Sequence, residues 1–557
     1  CNSYFLKKVP VSAPSNNLPP VESQPPLFSI RQLTFTYPDG TPGLQGVTLD
    51  IHTGERIALL GLNGSGKSTL VRHLNGLNAV QKGICLFEGR NIESEPGAVL
   101  RQRVGLLFQD PDDQLFCSTV YEDVAFGPRN QGKDEARVDE LVRGTLAAVS
   151  LDHLLCKSAH NLSYGQKKRA ALAAVLAMEP DVLILDEPTA NLDPFQERLI
   201  RELLAGYAGT LIIIEHDLFF LQGLCDRALV LVEGRVEHDC PLDDLLQNPR
   251  LLIACGLDFT FRCTGPDSAA ATAGLKPSRI IHGEKTGGDH LRSPRTGEPF
   301  IELQRYSYRY SDGTTALRDI SFSLFTGETV ALIGENGAGK STLALSLLGL
   351  YRGDGHLLLA GEQVSESELS RLWQRVGMVF QHSTEQLFCP SCREEVAFGP
   401  RQVGLTDAEV EHRTQEALTL VRLNGYEERV PLNMSHGEQK RLAIAAALSL
   451  HPDLLILDEP TAGLDLRSEA LLLQILSDLP MTKLLITHDL TFISRLSRRT
   501  VVLHRGRIIR DYATSEFLND RRLEEIAGLD YGYKRCCYQA MEKALEKRSD
   551  FVQDNQL

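Results

Sequence analysis

Gly61-Leu62-Asn63-Gly64-Ser65-Gly66-Lys67-Ser68-Thr69 is the stretch around which the chain is built. Before it, Glu55 to Leu60 is a short apolar run that suits a buried strand, and after it Leu70 to Asn75 suits the first turns of a helix. A strand, a glycine-rich loop ending in Gly-Lys-Ser, and a helix together predict a phosphate cradle. Gly61, Gly64 and Gly66 let the backbone turn tightly and leave N–H groups facing oxygen anions. The helix start adds partial positive charge. Lys67 then sits against β- and γ-phosphates, and the Ser68 hydroxyl is placed to ligate Mg²⁺.

The stretch returns 273 residues later as Gly334-Glu335-Asn336-Gly337-Ala338-Gly339-Lys340-Ser341-Thr342. A period this long means two whole domains, since solenoid repeats recur every ~20–50 residues. A chain of 557 residues has room for both. Its 42% hydrophobic and 24% charged residues are ordinary for a soluble globular protein. It has no run of 18 apolar residues, so no spanning helix is expected. The net charge of −15 argues against a nucleic-acid surface. Cys389-Pro390-Ser391-Cys392 is a lone CxxC without a second pair, which does not make a zinc site.

Residues 1–26 are proline-rich and polar and read as a flexible arm. Residues 27–258 form the first domain. It opens with two strands split by the turn Tyr37-Pro38-Asp39-Gly40. Tyr310 holds the same place in the second domain, and both rings are candidates to stack on adenine. A strand Arg103–Phe108 ends at Gln109, and helical periodicity follows from Asp134 to Val149. A polar segment, Ser163-Tyr164-Gly165-Gln166, leads into an alanine-rich helix expected over Arg169–Met178. The run Asp181–Leu185 ends in Asp186 and Glu187, and the strand Thr210–Glu215 ends at His216. Each strand is apolar with its polar residue at the carboxyl end, and in a parallel sheet those ends line one crevice. Lys67, Gln109, Asp186, Glu187 and His216 are therefore expected to converge. Residues 259–298 read as a flexible linker. Residues 299–530 repeat the order with Tyr310, Lys340, Gln381, Ser435-His436-Gly437-Glu438, Asp458, Glu459 and His488, and 531–557 form a polar tail.

Five ordered elements in each half resemble the ATP-binding-cassette (ABC) ATPases. The resemblance implies an α/β chain of two P-loop NTPase domains. Each has a mostly parallel sheet core, an antiparallel β subdomain and a helical subdomain. It implies ATP and Mg²⁺ as cofactors, with Asp186 and Asp458 holding Mg²⁺ and Gln109 and Gln381 sensing metal and water. Glu187 and Glu459 would polarise the attacking water, and His216 and His488 would bond the γ-phosphate. It also implies an intramolecular head-to-tail pairing, in which Lys67 faces Ser435, Gly437 and Glu438 while Lys340 faces Ser163, Gly165 and Gln166.

A narrower resemblance lies after the glutamines. Gln114-Leu115-Phe116 with Glu122-Asp123-Val124-Ala125-Phe126-Gly127-Pro128 looks like the energy-coupling-factor (ECF) ATPases. Those energise importers of vitamins and of cobalt or nickel ions. The second half keeps Gln386-Leu387-Phe388 and Glu395–Pro400 but departs at His382–Glu385 and at Ser391-Cys392. The resemblance implies an integral membrane scaffold (T-type) subunit, a substrate-capture membrane subunit, and a peripheral place on the cytoplasmic face of the membrane. The competing reading is a soluble tandem-cassette ATPase acting on ribosomes or nucleic acid. Such proteins usually carry basic surfaces or a long charged helical linker, and neither is evident here.

Overall fold

The computed structural model describes residues 25–94, 97–259, 262, 299–369, 371–520 and 522–523. The stretches read as N-terminal arm, linker and tail lie almost wholly outside them. The chain divides into two compact units, the first made mainly of the chain up to Asp258 and the second of most of the chain from Phe259 on.

In the first unit the strands are β1 (Phe28–Thr36), β2 (Pro42–Ile51), β3 (Arg56–Leu60), β4 (Lys82–Phe87), β5 (Arg90–Asn91), β6 (Val104–Leu107), β7 (Val182–Asp186), β8 (Thr210–Ile214), β9 (Arg227–Val232) and β10 (Arg235–Pro241). They form two sheets. The core sheet has the order β10-β9-β3-β8-β7-β6. Its β9, β3, β8, β7 and β6 are parallel, and β10 joins the edge as an antiparallel hairpin. Every residue of β7 and of β8 is buried, as expected of strands covered on both faces. The other sheet, β2-β1-β4-β5, is antiparallel. It puts Phe28, Ile30 and Leu33 of β1 into a core shared with Ile57, Leu59, Ile184 and Ile212 of the core sheet. The helices Val120–Asn130, Glu135–Ala148 and Tyr164–Leu176 make a third, helical part.

The second unit repeats this with β11 (Ile301–Arg309), β12 (Thr315–Leu324), β13 (Thr329–Ile333), β14 (Asp354–Leu359), β15 (Glu362–Gln363), β16 (Val376–Val379), β17 (Leu454–Asp458), β18 (Thr482–Ile486), β19 (Arg499–His504) and β20 (Arg507–Ala513). Its sheets are β12-β11-β14-β15 and β16-β17-β18-β13-β19-β20, the same topology. The α/β architecture with two cassettes therefore matches the expectation from sequence.

One boundary differs. The alanine-rich helix starts at Tyr164 rather than Arg169. Ser163 accepts from the Gln166 N–H, and Gln166 reaches back to the Ser163 N–H at 3.0 Å. This reciprocal pair nucleates the helix five residues earlier, so the polar segment is the first helical turn rather than a loop. Ser435 and Glu438 do the same at the start of His436–Leu448.

Candidate functional site

β3 delivers the chain into the loop Gly61–Gly66, and the helix Lys67–Leu74 follows at once. Gly66 sits at φ 101°, and a Cβ there would lie 2.5 Å from the Gly43 carbonyl oxygen. Only glycine fits. Gly339 repeats this at φ 106° against Ala316. Neither helix start has a side-chain cap, so the first-turn N–H groups face the hollow of the loop. The Ser65 hydroxyl is buried there without a partner. Lys67 is buried, and its Nζ donates to the carbonyls of Gly61 (2.8 Å) and Leu62 (2.9 Å). Burial pushes the Lys67 ammonium below its ordinary value, against the pull of Glu187 and Asp186. A cradle of uncapped N–H groups, an orphaned hydroxyl and a caged ammonium fits a polyphosphate.

The carboxylates come from the end of β7. Ser68 Oγ donates to Asp186 Oδ2 at 2.8 Å, and Ser341 Oγ to Asp458 Oδ2 at 2.9 Å. One hydroxyl and one carboxylate side by side are the hard oxygen donors a Mg²⁺ ion takes. Asp186 and Asp458 are each raised by burial, with the serine bond opposing.

The next residues, Glu187 and Glu459, have left-handed backbones, φ 46° and 42°. Such a conformation is costly for a glutamate and clusters at functional sites. It ends the strand, so Asp186 and Glu187 are no longer held to opposite faces. Glu187 Oε2 accepts from Gln109 Nε2 at 2.9 Å, and His216 Nε2 lies 3.3 Å from Oε1. Burial opposes the Glu187 charge, but the His216 ring and the Lys67 and Lys168 ammoniums outweigh it and hold the carboxyl well below its usual range.

The second unit is arranged differently. His488 Nε2 is 3.1 Å from Lys340 Nζ and 3.7 Å from Glu459. Burial pushes Glu459 up to about 7.

Tyr37 lies beside the cradle, its hydroxyl 2.6 Å from Thr69 Oγ1, and Tyr310 is 2.9 Å from Thr342. Lys67, Ser68, Gln109, Asp186, Glu187 and His216 are thus brought together in one cluster. Ser163 and Gly165 are held by other partners: Ser163 by Gln166, and Gly165 by close approach to Gln196.

Two lysines complete the arrangement and have no cue in sequence beyond their recurrence 272 residues apart. Lys168 is fully buried, and its Nζ donates to the carbonyls of Gln109 (2.5 Å) and Phe108 (3.2 Å). Lys440 does the same for Gln381 (2.7 Å) and Phe380 (3.1 Å). They pin the helix that starts at the Ser-x-Gly segment to the glutamine loop. Burial pushes both ammoniums down to about 8.

The family model described as "ABC transporter" matches residues 44–190 and 317–462. An ABC transporter ATP-binding protein of Methanosarcina acetivorans is 35% identical over 549 residues, covering 92% of this chain and 89% of its own. The chain is an ABC transporter ATP-binding protein. Another such relative, from Caldanaerobacter subterraneus subsp. tengcongensis, is 31% identical, covering 89% of this chain and 93% of its own. Among solved structures, cbiO1 of Clostridium perfringens, part of the ABC transporter complex cbiONQ, is 38% identical. It covers 42% of this chain and 97% of its own, with a TM-score of 0.37. The ABC protein described here is accordingly an ATPase with two cassettes.

Proposed function

We propose that this ABC ATPase is the energy-coupling subunit of an ECF-type membrane importer, of vitamins or transition-metal ions, and that it works peripherally at the cytoplasmic face. One observation carries this reading. Phe116 and Phe126 form an exposed edge-to-face pair at 5.0 Å, and Phe388 and Phe398 repeat it at 5.0 Å. Phe116 and Phe388 are about two-thirds exposed (65% and 66%), unusual for a ring that is rigidly held. Their backbones are fixed, because Asp123 accepts from the Phe116 and Cys117 N–H groups and Glu395 from those of Phe388 and Cys389. Gln114 and Gln386 each reach back to the strand before the glutamine loop. Two rigid aromatic knobs beside each loop suit the apolar groove or helix of a partner.

The sequence departures in the second half leave this feature intact. Ser391 caps its helix through the Glu394 N–H at 3.3 Å, as Thr119 does through Glu122 at 3.2 Å. Among the described residues no helix is long and apolar enough to cross a membrane.

In this reading two ATP molecules bind between the halves. Lys67 works with Ser435, Gly437 and Glu438, and Lys340 with Ser163, Gly165 and Gln166. Ser68, Asp186 and Gln109 would hold one Mg²⁺, and Ser341, Asp458 and Gln381 the other. The metal, when bound, neutralises charge on the phosphate oxygens. Glu187 and Glu459 orient and polarise the attacking water, while His216 and His488 steady the γ-phosphate. Tyr37 and Tyr310 stack on adenine.

Phe116→Asp with Phe388→Asp is expected to abolish co-purification of membrane subunits from detergent extracts, while the native chain retains them. Full retention by the variant, or co-sedimentation of the native chain with ribosomes and no membrane subunit, would favour the soluble tandem-cassette reading instead.

A further inference from the structure

The two units differ at the residue before the switch histidine. In the first it is Glu215, and at the corresponding place in the second it is Thr487. Glu215 is buried, and its two oxygens span two segments. Oε2 accepts from Thr189 Oγ1 at 2.6 Å and from the Thr189 N–H at 3.3 Å. Oε1 accepts from the His216 N–H at 2.8 Å and the Asp217 N–H at 3.4 Å. Thr189 stands two residues past Glu187, so one carboxylate ties the chain leaving β7 to the chain leaving β8. Those are the segments that carry Glu187 and His216.

We propose that Glu215 is a positioning residue of the first unit's hydrolytic centre, and that its replacement by Thr487 makes the two centres of this chain chemically unequal. The side-chain geometry follows the substitution. With the clamp present, His216 rests 3.3 Å from Glu187. With a single hydroxyl in its place, bonded to the Asp489 N–H at 3.1 Å, His488 turns to Lys340 and stands 3.7 Å from Glu459.

The clamp depends on charge, since an ionised carboxylate accepts on both oxygens and a protonated one must donate from one of them. Glu187 and Asp217 face Glu215 with like charge, Lys168 faces it with positive charge, and the His216 ring lies beside it. Burial, more than these neighbours, pushes Glu215 up to about 7. Above that pH the clamp is ionised and closed. As pH falls through it, one acceptor is lost and the first centre slows.

The test is the dependence of kcat and KM for MgATP on pH, over about pH 6 to 9, in the native chain, Glu215→Gln, Glu215→Thr and Thr487→Glu. Glu215→Gln keeps the shape but cannot titrate and, like the protonated acid, offers a single acceptor oxygen. It is expected to lower kcat at pH 8 about 2- to 10-fold and to leave only the part of the acid limb that Glu459, itself pushed up to about 7, supplies. Glu215→Thr is expected to lower kcat several-fold, about 2- to 10-fold, with KM within about twofold. Thr487→Glu should deepen the acid limb. A Glu215→Gln profile superimposable on the native one, or an effect confined to KM, would overturn the proposal. If Glu215→Thr fails to fold, the near-isosteric Glu215→Gln profile decides alone.

Discussion

Glu187→Gln combined with Glu459→Gln is expected to lower steady-state ATP hydrolysis by at least ~10²-fold, with each single change lowering it but leaving measurable turnover. General-base assistance is typically worth ~10²–10⁴ in rate, and glutamine removes the charge that provides it. The substitution is gentle on the fold. The backbone N–H of Glu187 donates to Ile214 at 2.9 Å and that of Glu459 to Ile486 at 2.8 Å, and glutamine keeps both. It also keeps the side-chain volume, so the left-handed turns at φ 46° and 42° are retained. Loss of rate with an unchanged far-ultraviolet spectrum and unchanged nucleotide affinity is the predicted signature. If a single variant keeps full activity, that centre is silent. If the double variant keeps a tenth or more, neither glutamate polarises the water.

Lys67→Ala is expected to weaken nucleotide binding at the first site by about 10²-fold, and Lys340→Ala to do the same at the second. A charge-assisted hydrogen bond contributes about 1.5–3 kcal/mol, and the ammonium meets the most highly charged part of the ligand. Each lysine is buried among its own loop carbonyls, Gly61 and Leu62 for Lys67 and Gly334 and Glu335 for Lys340. Alanine therefore also loosens the loop, so calorimetric titration should be paired with a melting curve. The expected result is one remaining tight site in each single variant. Native affinity at both sites in Lys67→Ala would remove the phosphate-cradle assignment from the first loop.

The cradles were legible in the sequence because their glycines are forced. Gly66 and Gly339 adopt φ values that other residues avoid, and carbonyl oxygens close the space where a Cβ would be. The parallel core was legible because β7 and β8 are apolar on both faces. Other features depend on tertiary contacts that periodicity does not encode. Lys168 ends a polar segment in the run Lys167-Lys168-Arg169, yet it is fully buried and bonds the Gln109 carbonyl. The helix start at Tyr164 was hidden because Ser163 and Gln166 read as loop residues until seen to cap one another. Two intact Asp-Glu pairs point to two hydrolytic centres and leave their equality open. The sequence carries Glu215 in one unit and Thr487 in the other, but only the folded structure shows His216 turned to Glu187 and His488 to Lys340.

The most direct measurement is equilibrium titration of the Glu187→Gln/Glu459→Gln chain with MgATP, where binding proceeds without turnover. Two nucleotide-binding cassettes in one polypeptide predict saturation at two equivalents per chain. Saturation at a single equivalent would contradict that.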